Sequence, residues 1–202
     1  MIQFARQAFL AAALVAVAGT PAFAAEWKVD AGHSQVAFEI RHFVSEVPGR
    51  FNEFTGTIQY DAAKPAESTV EFTVQAKSVD TANENRDNHL RSADFFNVEK
   101  FPTLSFKSTS VKADSANQLS VTGDFTMLGV TKSITIPVRI LGVLETPRGT
   151  KGGFKSQFVI SRKDFGMVWN RALDAGGTIL GEEVAITIGI EADKVVPEAP
   201  KG

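Results

Sequence analysis

Cysteine is absent from all 202 residues, so the chain has no disulfide framework and no thiol chemistry, and its stability must come from burial. Histidine is scarce as well, at three residues, and His33, His42 and His89 stand at spacings that match no metal-ligand pattern. The chain lacks a Gly-x-Ser-x-Gly elbow, a His-Glu-x-x-His helix and a phosphate-cradling glycine loop. Glu182 and Glu183 adjoin a strand start, where neighbouring residues face opposite ways, so they are not a paired acid and base. No excess of either charge is present: 21 Lys and Arg against 23 Asp and Glu give a formal net charge of −2. That balance argues against nucleic acid or an anionic membrane surface as the main partner. Neither a catalytic residue nor a metal site is read from these patterns.

A long apolar run occurs once, at the start. Arg6 supplies a positive n-region, Ala8 to Ala18 an apolar core, and Ala22-Phe23-Ala24 a small-x-small cleavage site, so residues 1–24 read as a signal peptide. The apolar core is too short to span a bilayer and ends in Gly19-Thr20-Pro21. The chain is therefore expected to be exported, to the periplasm, without stable membrane insertion. Residues 25–195 suit a single domain, and residues 196–202, with Pro197 and Pro200, read as a flexible tail.

What the domain does contain is alternation. Val36, Phe38 and Ile40 share one face of a strand, and Phe54, Gly56, Ile58 and Tyr60 share one face of a second. Val70, Phe72, Val74 and Ala76 mark a third, Leu104 and Phe106 a fourth, and Leu119, Val121, Gly123, Phe125 and Met127 a fifth. Ile134, Ile136, Val138 and Ile140 follow, then Phe154, Ser156, Phe158 and Ile160, then Val184, Ile186, Ile188 and Ile190. Gly129-Val130-Thr131 and Pro147-Arg148-Gly149 provide hairpin turns, which make sequential strands antiparallel. Two longer connections, 81–101 and 162–177, have room for short helices, the first capped by Asn83 or Asn85.

The expected fold class is all-β, an eight-stranded antiparallel up-and-down barrel with short helices in the connections. Such a barrel either fills its interior or holds one small ligand. Small residues on the apolar faces, Gly56, Ala76, Gly123 and Ser156, would leave room inside, although strand glycines also mark bulges. An outer-membrane barrel has the same alternation, but it needs aromatic girdles, and two tryptophans and one tyrosine do not make them.

The segment from Asn85 to Phe106 concentrates polar chemistry beside phenylalanine. Arg86, Asp87, His89, Arg91 and Asp94 lie next to Phe95, Phe96 and Phe101. On a helix Arg86 and Leu90 share a face, and Asp87 and Arg91 form an i,i+4 ion pair. The polar group either faces a ligand or forms a solvated helix held by local salt bridges, while the phenylalanines plug one barrel end. His42 continues the phase of Phe38 and Ile40, so it points inward near an end. The candidate ligand contacts are Phe38, Ile40, His42, Phe72, Arg86, Asp87, His89, Asp94, Phe125, Ile136, Phe158 and Ile188. An enzyme on the same barrel, with His42 or His89 as general base, is the alternative.

Several short motifs recur in order along the chain: Trp27-Lys28-Val29-Asp30 with His33-Ser34, Arg86-Asp87-x-His89-Leu90, Asp94-Phe95-Phe96, Gly129-Val130-Thr131-Lys132 and Arg162-x-Asp164-Phe165-Gly166. In this the chain resembles the YceI-like, polyisoprenoid-binding family of exported bacterial proteins. The resemblance implies a lipocalin-like barrel, an isoprenoid lipid (quinone-like or prenyl-phosphate) as partner and bound molecule, no catalytic cofactor, and a homodimer. Strands of about ten residues, rising roughly 3.3 Å each, would make a lumen long enough for several isoprene units.

Overall fold

The computed structural model describes residues 24–174 and 176–196. The expected signal peptide and tail lie outside this range apart from Ala24 and Val196. Eleven strand segments and one α-helix follow one another along the chain: β1 Ala25–Val29, β2 Gln35–His42, β3 Ser45–Phe51, β4 Phe54–Tyr60, β5 Thr69–Gln75, β6 Val79–Asp80, α1 Glu84–Arg91, β7 Thr103–Ser115, β8 Gln118–Met127, β9 Val130–Thr146, β10 Gly149–Ser161 and β11 Leu180–Lys194. These segments make eight staves, because β1 with β2, β3 with β4, and β5 with β6 are single staves interrupted by a corner. Every strand pairing is antiparallel; staves that follow one another in sequence pair side by side, and β11 pairs with both β1 and β2, which closes the barrel.

The corners have local causes. Asp30 accepts the Gly32 N–H and caps a 3₁₀ turn, Ala31–His33, which breaks the first stave. Ser34 then stitches the chain back to β11 by exchanging hydrogen bonds with the backbone of Glu191. At the second corner the buried hydroxyl of Ser78 accepts the Glu53 N–H, while the Ser78 carbonyl accepts that of Asn52. Two neighbouring staves thus bend together without leaving those amides unpaired.

Several strands are longer than their alternation indicates. β7 runs on to Ser115 because an irregularity between Ser108 and Ser110 inserts Thr109 and resets the phase, which brings Val111 back to the inner face. β9 is extended in the same way past a register shift opposite Gly153 and Phe154, after which Leu141, Val143 and Leu144 are exposed. The β9–β10 ladder ends at Val138 and Ser156. Pro137 has no N–H to continue it, and the Ser156 hydroxyl donates to the Pro137 carbonyl instead.

The small residues take a different role from empty space. Gly56 and Gly123 lie under the rings of Phe72 and Phe106 on adjacent strands, where a Cβ would come within 2.5 Å and 2.6 Å of ring carbons. Gly49 seats Phe38 in the same way. Gly123 also stands opposite the Ser108–Ser110 irregularity, so room and bulge coincide there.

Two apolar clusters mark the barrel ends. One gathers Trp27, Ile58, Tyr60, Leu119, Phe154 and Ile190; the other gathers Phe51, Phe54, Phe95, Phe96, Met127 and Phe165 under α1. Helix α1 is N-capped by Asn83, whose side chain accepts the Arg86 N–H.

Asp80 anchors the approach to this helix. Its carboxylate accepts from the Ala82 N–H and from the side chains of Asn52 and Arg50, and in that order these hold its pKa down to about 2. A depressed carboxyl pKa contributes stability that is complete above the ordinary value of 3.8 and is lost as pH falls toward about 2. Asp80→Asn is therefore expected to lower the urea midpoint at pH 7, with the difference from the parent shrinking as pH falls from 3.8 through about 2. A difference that stays constant with pH would contradict the assignment.

Candidate functional site

The inner faces of the staves enclose a cavity of about 540 Å³, within the usual range for small-molecule sites. Its wall is mostly aliphatic and aromatic. Phe38, Ile40, Phe72, Phe125, Ile136, Phe158 and Ile188 all border it, so the strand phases place these residues on the inner side. Phe125 meets Phe165 edge-on with ring centroids 5.1 Å apart. Phe95 and Phe96 are buried and border the cavity beneath α1. Phe101 instead lies over the β8–β9 turn, where Gly129 leaves space for its ring.

Polar groups collect at the α1 end. His42, at the tip of β2, borders the cavity and stacks edge-on against Phe43. Arg86 and His89 border it from the helix, together with Leu90. Arg86 is fixed by Thr81, whose hydroxyl accepts its Nε–H and whose carbonyl accepts an Nη2–H. The same hydroxyl donates to Asp87 Oδ1, which also accepts the Thr81 N–H. Asp87, 6 % exposed, is thus turned toward its own connection and does not border the cavity.

The expected Asp87–Arg91 ion pair does not form. Arg91 donates instead to the carbonyls of Lys77 and Val79 and to the Asn88 side chain. Unpaired carbonyls at the turn preceding α1 attract the five-donor guanidinium, and Thr81 supplies Asp87 with stronger local partners.

His89 Nε2 lies 2.9 Å from Asp94 Oδ2, and its ring meets both Phe95 and Trp169 edge-on with centroids 5.0 Å apart. Asp94 faces a small outer pocket rather than the main cavity. His89 and Trp169 together couple α1 to the 162–179 connection. His33 lies elsewhere, exposed and bonded to Asp30. Asp30, His33 and Glu191 approach within 4.8 Å of one another, a grouping that their sequence spacing does not reveal. The Lys151 ammonium already bridges Asp30, Glu191 and Asp193 there. The hydrogen bond from His33, followed by that from Lys151, holds Asp30 down to about 2.

Sequence reasoning misses Arg162 as a site residue. It is 1 % exposed and borders the cavity. Its Nε donates to the Gly181 carbonyl and its Nη1 to the carbonyls of Met167 and Trp169, so one side chain gathers the whole returning connection. Its Nη2 has no hydrogen-bond partner among the described residues. Burial lowers its pKa, with Glu182 acting in the opposite direction, and a guanidinium remains charged at any physiological pH. The available signal is phase: Arg162 continues the inward series Phe154, Ser156, Phe158, Ile160.

Comparison with known proteins adds ancestry to this geometry. Residues 27–192 match the family model described as YceI-like domain. The protein YceI of Escherichia coli O157:H7 is 41 % identical over 184 residues, covering 89 % of this chain and 92 % of that protein. Among solved structures, the Campylobacter jejuni YceI protein superposes with a TM-score of 0.67 at 30 % identity, over 76 % of this chain and 88 % of the other. A polyisoprenoid binding domain from Saccharophagus degradans superposes with a TM-score of 0.64 over 84 % of this chain and 98 % of the other, and at 14 % identity it is a likeness of fold. With the family model spanning the whole barrel and relatives of this identity matched nearly end to end, the chain belongs to the YceI-like domain family.

Proposed function

We propose that the protein is a periplasmic binding or carrier protein that holds an isoprenoid lipid, quinone-like or prenyl-phosphate, in the barrel lumen without a catalytic step. The observation that carries this reading is the cavity itself: about 540 Å³ walled chiefly by apolar side chains, with His42, Arg86, His89 and Arg162 gathered at one end. A chain of isoprene units gains roughly 25 cal/mol per Å² of apolar surface removed from water, so the wall supplies affinity and the polar end reads the head. Membership of the YceI-like family and the likeness to a polyisoprenoid binding domain support the ligand class. The leader-like N-terminal sequence supports export.

The His89–Asp94 contact favours a second reading, in which His89 is a general base oriented by Asp94 and acts on a bound lipid. His89→Ala separates the two. Under the carrier reading the variant takes up prenyl lipid with affinity within about tenfold of the parent, since one rim contact is lost, and neither protein chemically alters the lipid on prolonged incubation. Conversion by the parent that disappears in a variant still able to bind would establish the enzyme instead.

A further inference from the structure

The cavity wall is unbalanced in charge. Arg86 and Arg162 border it, along with the imidazoles of His42 and His89, and among the described residues neither an aspartate nor a glutamate does so. The nearby carboxylates are committed elsewhere: Asp87 to Thr81, Asp94 to the outer side of His89, and Glu182 to an ion pair with Lys163. Arg162 is the extreme case. Among the described residues its hydrogen-bond partners are three backbone carbonyls, which are neutral, and its Nη2 is shielded from water with no acceptor.

A buried cation with no anion bonded to it, Glu182 acting on Arg162 only from a distance, is costly, and proteins rarely keep one unless something compensates it. Here the same residue borders a cavity shaped for an apolar molecule. We infer that the lumen takes an amphiphile whose head is an oxyanion, a phosphate or a carboxylate, seated at the α1 end against Arg162 with Arg86 at the rim. This rests on the lipid-binding reading above and narrows it. A neutral quinone or prenol presents no charge to Arg162, whereas an oxyanion supplies the opposite charge and balances the wall.

The test is a head-group series at constant tail. Geranylgeranyl phosphate, geranylgeranoic acid and geranylgeraniol are titrated into the delipidated protein, with binding followed by the fluorescence of Trp169 at the cavity wall. At least one oxyanion should bind about tenfold or more tighter than the alcohol, the range of a charge-assisted hydrogen bond, and the order of phosphate and carboxylate identifies which head fits. In Arg162→Met that preference, read as the ratio of affinities within the variant so that any loss common to the three probes cancels, should fall to within about threefold. If Arg162→Met does not fold, as judged by circular dichroism, the series on the unsubstituted protein decides alone, with Arg86→Met expected to narrow the preference in part. Equal affinity for all three probes would overturn the oxyanion assignment and leave lipid binding intact. Binding of none of them would overturn lipid binding itself.

Discussion

Replacing Phe125 by Asp is expected to abolish lipid uptake, with affinity falling by about a hundredfold or more and with a stability loss of about 3 kcal/mol. Phe125 borders the cavity and closes edge-on against Phe165, so the substitution removes an aromatic pair and sets a carboxylate on an apolar wall. The two costs add. A free carboxylate in the lumen must be desolvated by any incoming tail, and without the ligand the side chain protonates or draws in water. Phe125→Leu separates packing from charge: it keeps the wall apolar, costs about 1 kcal/mol, and should bind within a few-fold of the parent. Calorimetric titration with a prenyl lipid, alongside urea unfolding of both variants, reads the two effects. Unchanged uptake by Phe125→Asp would mean that this face of β8 does not meet the ligand.

The largest effect on stability is expected at Arg162. Arg162→Met should lower the unfolding free energy by about 3–5 kcal/mol, because it strands the carbonyls of Gly181, Met167 and Trp169 that one guanidinium now gathers. Arg162→Lys should rescue little of it, since a single ammonium cannot reproduce the planar fork. The loss should also be local. Amides of the 162–179 connection should exchange faster with solvent in either variant while those of β8 keep their protection. Equal loosening throughout the barrel, or a change below about 1 kcal/mol, would show that Arg162 does not organise this connection.

The eight staves were legible because alternation with period two reports a half-buried strand directly, and hairpin-length links fix the order of neighbours. The phases of Phe38, Ile136 and Ile188 placed them on the cavity side in advance. Strand length was less legible. The register changes near Thr109 and Leu141 reverse the phase within β7 and β9, and a reversed phase reads as the end of a strand. β3 was hidden differently. It holds Pro48-Gly49, two residue types depleted in strands, yet Pro48 pairs with Glu39 and Gly49 provides the space into which the Phe38 ring fits.

Within the site, hydrogen-bond choice was the obscure part. An i,i+4 rule pairs Asp87 with Arg91, but it carries no information about Thr81 or the carbonyls of Lys77 and Val79, which reach the same side chains from outside the helix. Asp94 was legible as a neighbour of His89 but not as one facing outward. Arg162 carried an inward phase that a charged residue usually disguises, because charge at the end of a strand is ordinarily read as solvent-facing.

Mass spectrometry of the organic extract from protein purified from its native host is the most direct measurement. An isoprenoid lipid is expected at about one molecule per chain, released only when the barrel is denatured or extracted, and replaced by added prenyl lipid on reloading. Repeated extracts without a stoichiometric lipid, together with no uptake by the delipidated protein, would contradict a lipid-holding lumen.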